Sequence, residues 1–145
     1  MAAQHIIETV QNIFTGADER DWDRCLASMD EKVYLDYSSM GAGDAKELPA
    51  TDIISSWKTF LPRFKATHHQ LGNFTIREHN GEAEVAFYGT ATHFFPTESM
   101  QNVWTVVGTY NAKLVSDKGQ WKVTALRFNL KYQDGNLALP QIAGN

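Results

Sequence analysis

An α+β fold, a curved antiparallel sheet wrapped over helices near the N-terminus, is the class this sequence predicts. Two observations carry it. Up to Pro62 the apolar residues recur mostly at three- and four-residue steps, the period of amphipathic helices. From Lys65 onward the chain turns into long runs rich in Val, Thr, Phe, Tyr and Trp, separated by short turn-forming segments. Helices segregated at one end of a sequence and strands at the other pack as helices on one face of a sheet. A strongly curved sheet covered this way encloses a pocket. The 145 residues suit a single domain over 1–145, and 43% hydrophobic content is enough for one packed core.

Taken in order, Ile6, Ile7, Val10, Ile13 and Phe14 form the stripe of a first helix over Gln4–Phe14, which Gly16 is able to end. Asp21–Leu26 reads as a short second helix with acidic residues at its positive end, and Asp18 falls at the junction. Lys32–Tyr37 alternates Val33, Leu35, Tyr37 against Tyr34, Asp36, the period of a strand. If the first set packs, Asp36 faces the other way. Residues 38–50, rich in Ser, Gly and Ala, read as a mobile loop able to act as a lid. Thr51 or Asp52 is placed to cap a third helix whose stripe of Ile53, Ile54, Trp57, Phe60 and Leu61 ends near Pro62. Everything beyond Lys65 reads as sheet: strands over Thr67–Glu78, Ala83–Phe95, Asn102–Ser116 and Gln120–Tyr132. Asn80-Gly81 is the strongest hairpin signal, since both residues tolerate positive φ.

Composition excludes several functions. With 13 basic and 17 acidic residues and no cationic stripe, the chain is not built to track nucleic-acid phosphates. No segment has the apolar length of a membrane span, and the N-terminus lacks the basic region and unbroken apolar run of a signal peptide. Cys25 is the only cysteine, which rules out an intramolecular disulfide and fits a reducing, cytoplasmic location. Adjacent His68 and His69 point to opposite faces of a regular strand, so they do not share a metal ion; H-x-H and H-E-x-x-H are absent. Phosphate-binding glycine motifs and a G-x-S-x-G nucleophile elbow are absent too.

What remains is acid-base chemistry. Asp18, Asp36, His68, His69 and His93 sit in or beside segments that otherwise read as core. An imidazole near its ordinary pKa of about 6.5 moves protons in both directions at neutral pH. His93 shares its strand parity with Val85, Phe87 and Ala91, which turns it inward. The other strand leaves two answers open: Phe74 and Ile76 share the parity of His68, Leu71 that of His69, and a bulge would change the outcome. The competing readings are a core histidine bonded to backbone, Asp18 as a helix-end charge, and Asp36 as a cap of the following loop. Trp104 lines either a pocket or a subunit interface.

Several local patterns, in this order along the chain, add a resemblance. They are Asp18-Glu19-Arg20-Asp21-Trp22-Asp23, Thr67-His68-His69-Gln70-Leu71-Gly72-Asn73, Gly108-Thr109-Tyr110 with Gly119-Gln120-Trp121-Lys122, and Asp134-Gly135-Asn136. With them the chain resembles the nuclear transport factor 2-like superfamily, and within it the SnoaL-like branch that includes scytalone dehydratase and polyketide cyclases. The resemblance implies a cone of sheet over helices and cofactor-free dehydration, isomerisation or cyclisation of small, largely apolar or polycyclic molecules. It implies that His69 is the catalytic histidine, that Asp18 orients it and that His93 is a second pocket histidine. Ala17 stands where that enzyme has one of its carbonyl-polarising tyrosines, so Tyr34, Tyr37 or Tyr110 would have to substitute.

The expected protein is therefore a lyase or isomerase without cofactor or metal. His69, oriented by Asp18 or Asp36, moves a proton next to a carbonyl, and His93 and a Tyr stabilise the oxyanion. Tyr34, Tyr110, Asn73 and Trp104 are the expected ligand contacts. The alternative is a small-molecule-binding or dimerisation domain of the same fold. Exposed aromatics on the last strands favour a homo-oligomer, a dimer before a trimer.

Overall fold

The computed structural model describes residues 2–145. Helix α1 spans Ala2–Glu19 and α2 Trp22–Ala27; strand β1 (Met29–Asp36) leads through a 3₁₀ turn at Ser38–Met40 to β2 (Lys46–Pro49) and α3 (Ala50–Phe60). The long strands β3 (Ala66–His79), β4 (Glu82–Phe94), β5 (Val103–Asp117) and β6 (Gln120–Gly135) follow, then a short α4 (Leu139–Ala143). The sheet has six strands in the order β2-β1-β6-β5-β4-β3. Its neighbours are antiparallel except β1 and β6, which run parallel. Register shifts along β1–β6, β3–β4 and β5–β6 bend the strands and curl the sheet over the helices. The apolar stripe of α1 (Ile6, Val10, Ile13, Phe14) packs with Ile53 and Ile54 of α3 and with Val85, Phe87, Leu114, Val123 and Leu126 of the sheet. Each such side chain, fully buried, stabilises the fold by about 1.5–3 kcal/mol.

Several local expectations change. Gly16 does not end α1; it lies inside the helix where α2 crosses closely, and a Cβ there would come within 2.8 Å of Cys25 Sγ. The chain leaves α1 instead at Arg20, whose φ of 61° breaks the helix. Asp18 consequently sits on the last turn of α1. Residues 38–50 are no free loop: β2 pairs with β1, and Ser39 Oγ donates to Phe128 O at 2.7 Å and accepts from Leu130 N–H at 3.0 Å. Helix α3 begins two residues earlier than a Thr51 cap and three earlier than an Asp52 cap requires, after Pro49, whose fixed φ of −57° leads into it. Beyond β6 the chain is not all sheet, because fully buried Leu139 anchors α4, started by Pro140. None of the described helices is long and apolar enough to cross a membrane.

Strand β3 resolves the histidine ambiguity. Gly72 pairs with Tyr88 and Thr75 with Ala86, so Asn73 and Phe74 together face the single residue Phe87. Asn73 takes a φ of 51° to make this bulge. Its extra residue lets Thr67, His69 and Leu71 on one side, and Phe74 and Ile76 on the other, all turn toward the core, while His68 is exposed.

Candidate active site

The end of α1 brings Asp18 beside the start of β3. Its Oδ1 accepts a hydrogen bond from the Thr67 hydroxyl at 2.9 Å and from His69 Nδ1–H at 2.7 Å, while Oδ2 accepts the His69 backbone N–H at 2.7 Å. Both side chains are largely buried, His69 at 12% and Asp18 at 16% exposure. Burial works to raise the Asp18 pKa, but the ring of His69, its charge, its backbone N–H and Thr67 outweigh it and hold the carboxyl below its ordinary value. An ionised Asp18 keeps the proton on Nδ1. Nε2 then carries the lone pair, with His69 lining a cavity between the helices and the sheet.

That cavity measures about 170 Å³. Phe14 of α1, Trp57 and Phe60 of α3, Val106 of β5 and Phe128 of β6 give it apolar walls, and no Lys, Arg, Asp or Glu lines it. His93 closes one side. Its Nδ1–H donates to Trp104 O at 3.0 Å, and its ring stacks on Trp104 at 4.2 Å between centroids and meets Phe64 in a tilted contact at 4.9 Å. Burial depresses its pKa to about 4, reinforced by the nearby His69, so the ring is neutral at pH 7. Tyr110 stacks on Phe87 and touches Phe14 and Phe128. Burial raises the phenol pKa values of Tyr110 and of Tyr37, which lines the same cavity, so both hydroxyls stay protonated. A protonated phenol hydroxyl is able to donate a hydrogen bond.

Residues 2–127 match the family model of the SnoaL-like domain. The chain belongs to the SnoaL-like family. Its fold is the nuclear transport factor 2-like cone, shared with Kfla4162 of Kribbella flavida at a TM-score of 0.90, with 21% identity over 96% of both chains. A scytalone dehydratase-like protein of Novosphingobium aromaticivorans superposes with a TM-score of 0.81, at 17% identity over 93% of this chain and 87% of that one. The hexachlorocyclohexane dehydrochlorinase LinA-type3 of Novosphingobium barchaimii gives 0.74, at 14% identity over 94% and 91%. Among curated proteins there is no sequence match.

Of the residues singled out in the sequence, this SnoaL-like protein brings His69, His93, Tyr110 and Trp104 to one cavity, with Asp18 behind His69. Trp104 also donates its Nε1–H to Gln133 Oε1 at 2.9 Å. Asp36 stands apart from His69 and bonds the loop that follows it, accepting from Ser38 Oγ at 2.6 Å and Ser38 N–H at 3.0 Å. Those bonds, the hydroxyl first, lower its pKa. Tyr34, 50% exposed, lies with Asp36 on the outer face of the sheet. The groove there is larger, about 710 Å³, but it contains the exposed Arg77–Glu84 ion pair and no part of the dyad. Asn73 is exposed and serves the bulge. Tyr37, one of the three tyrosines considered as a substitute carbonyl-polarising group, also lines the cavity, and so does Trp57, which the sequence pattern assigns to the core. Among the described residues no three His, Cys, Asp or Glu side chains converge as a metal site requires.

Proposed function

We propose that this SnoaL-like protein is a cofactor-independent lyase or isomerase acting on a small, largely apolar molecule. The observation that carries the reading is the 2.7 Å Asp18–His69 contact at the wall of an apolar cavity. His69 Nε2 takes a proton from a substrate carbon. The C–H electron pair becomes a new C=C bond, and in an elimination the bond to a β leaving group breaks with its electrons going to that group. Asp18 positions the ring and stabilises the imidazolium. A protonated Tyr37 or Tyr110 hydroxyl at the cavity wall would meet oxyanion charge if the carbon lies next to a carbonyl. The names of two similar structures, dehydratase-like and dehydrochlorinase, both denote eliminations and support this class.

The test is a panel of small cyclic β-hydroxy ketones and chlorocycloalkanes incubated with the wild type and with His69→Ala, products read by mass spectrometry. Wild-type elimination that disappears in a folded His69→Ala supports the proposal. Equal turnover by the variant contradicts it. A second reading, binding without turnover, is favoured by the aromatic lining and predicts saturable binding that survives His69→Ala with no product. We also propose a homodimer through the outer sheet face, where Tyr34, Tyr88 and Tyr132 are 50%, 50% and 56% exposed. Light scattering at micromolar concentration checks it, and a monomer would contradict it.

A further inference from the structure

We infer that His93 is a specificity-determining residue, an acceptor-only point that selects uncharged single-ring ligands bearing a hydroxyl or N–H group. The step rests on the proposed function only in taking the same cavity as the binding site.

A backbone carbonyl has no proton to give, so the 3.0 Å contact with Trp104 O requires the hydrogen to be on His93 Nδ1. In the neutral ring Nε2 is then a bare lone pair. No protein group bonds Nε2, yet no buried polar side-chain atom is left both sealed and unpartnered among the described residues. With His93 only 5% exposed and lining the cavity, Nε2 opens into that space. The ring is not free to change what it offers. A flip would break the bond to Trp104 O and leave that carbonyl bare, and Trp104 and Phe64 hold the ring at 4.2 Å and 4.9 Å. Protonation would bury a cation without a carboxylate bonded to it, and burial opposes that.

A ligand that leaves this acceptor dry forfeits a hydrogen bond the site has already desolvated, and sites of that kind reject analogues lacking the donor. A carbonyl or ether oxygen facing Nε2 meets lone pair with lone pair. An O–H or N–H meets it correctly. The cavity's about 170 Å³ sets the size, since a dry cavity of about 150 Å³ accepts benzene. One six-membered ring with a small substituent fits; a polycyclic ligand requires the walls to move. Two histidines thus present lone pairs to one space with different consequences. His69, backed by a carboxylate, takes a proton, while His93, backed by a carbonyl, only accepts a hydrogen bond.

The experiment is calorimetric binding of phenol, anisole and toluene to the wild type, His93→Phe and His69→Ala. Phenol should bind the wild type about tenfold or more tighter than anisole or toluene. The preference should persist in His69→Ala, which separates it from the other imidazole, and collapse toward unity in His93→Phe. Should His93→Phe fail to fold, the wild-type and His69→Ala series still decide. Anisole matching phenol there, or an unchanged preference in folded His93→Phe, overturns the inference while leaving the cavity as the site. Failure of all three rings to bind contradicts the site as well.

Discussion

Asp18 and His69, fifty-one residues apart, are joined twice: one carboxylate oxygen takes the backbone N–H of His69 and the other its ring Nδ1–H, each at 2.7 Å. These two hydrogen bonds tie the end of α1 to the start of β3, and the one to the ring fixes the tautomer that leaves Nε2 bare. Structure and chemistry therefore share one contact.

Asp18→Asn separates the two. An amide has one acceptor oxygen where the carboxylate has two, and its NH₂ can pair with an unprotonated Nδ1, moving the ring proton to Nε2. Turnover should fall about 10²–10⁴-fold, with a stability loss of about 1–3 kcal/mol. Rates and denaturant melts on the same preparation check both.

Acid should destabilise the fold in two stages. The folded His93 pKa of about 4 lies below the ordinary 6.5, so between these values the unfolded chain binds a proton that the folded chain refuses. Stability then decreases as pH falls from about 6.5 to 4, by on the order of 3 kcal/mol if nothing else titrates. Asp18, whose pKa is depressed, contributes stability above the unfolded carboxylate value that is lost as pH falls through its folded value. In His93→Phe the first stage should vanish from urea melts recorded between pH 7 and pH 4, and the second remain.

Asn73 should matter for backbone only. Asn73→Gly, at a φ of 51°, is expected to keep activity and stability. Asn73→Val should cost about 1–2 kcal/mol, because a β-branched residue resists that conformation. Denaturant midpoints and turnover of the two variants distinguish this from a ligand contact, which either change would weaken.

Gly89 makes room for Tyr110: a Cβ there would lie 2.4 Å from the ring's Cε2. Gly89→Ala should displace the ring at a cost of about 1–3 kcal/mol and weaken ligand binding. Calorimetry with phenol and a thermal melt measure the two effects.

Local pattern made much of this legible. The Ile6–Phe14 stripe, the Asn80-Gly81 turn, where Asn80 takes φ 51° and Gly81 φ 79°, and the alternation that turns His93 inward are short-range properties of the chain. The inward turn of His69 was not readable, because it depends on a bulge that the pairing of β3 with β4 creates. Gly16 looked like a helix end because close helix crossing and helix termination both call for glycine. The parallel β1–β6 pair and the anchoring of Ser39 on β6 are long-range choices made by packing. The meeting of Asp18 with His69 has no local signature and came only through the family resemblance.

Proton abstraction from carbon by His69 is tested most directly by deuterium incorporation. Small cyclic ketones such as 2-hydroxycyclohexanone are incubated with the protein in D₂O and followed by proton NMR. The account predicts exchange at the carbon next to the carbonyl above the buffer rate, lost in folded His69→Ala and reduced in Asp18→Asn. Saturable binding of these ketones with no exchange above buffer, or exchange undiminished in His69→Ala, would contradict it.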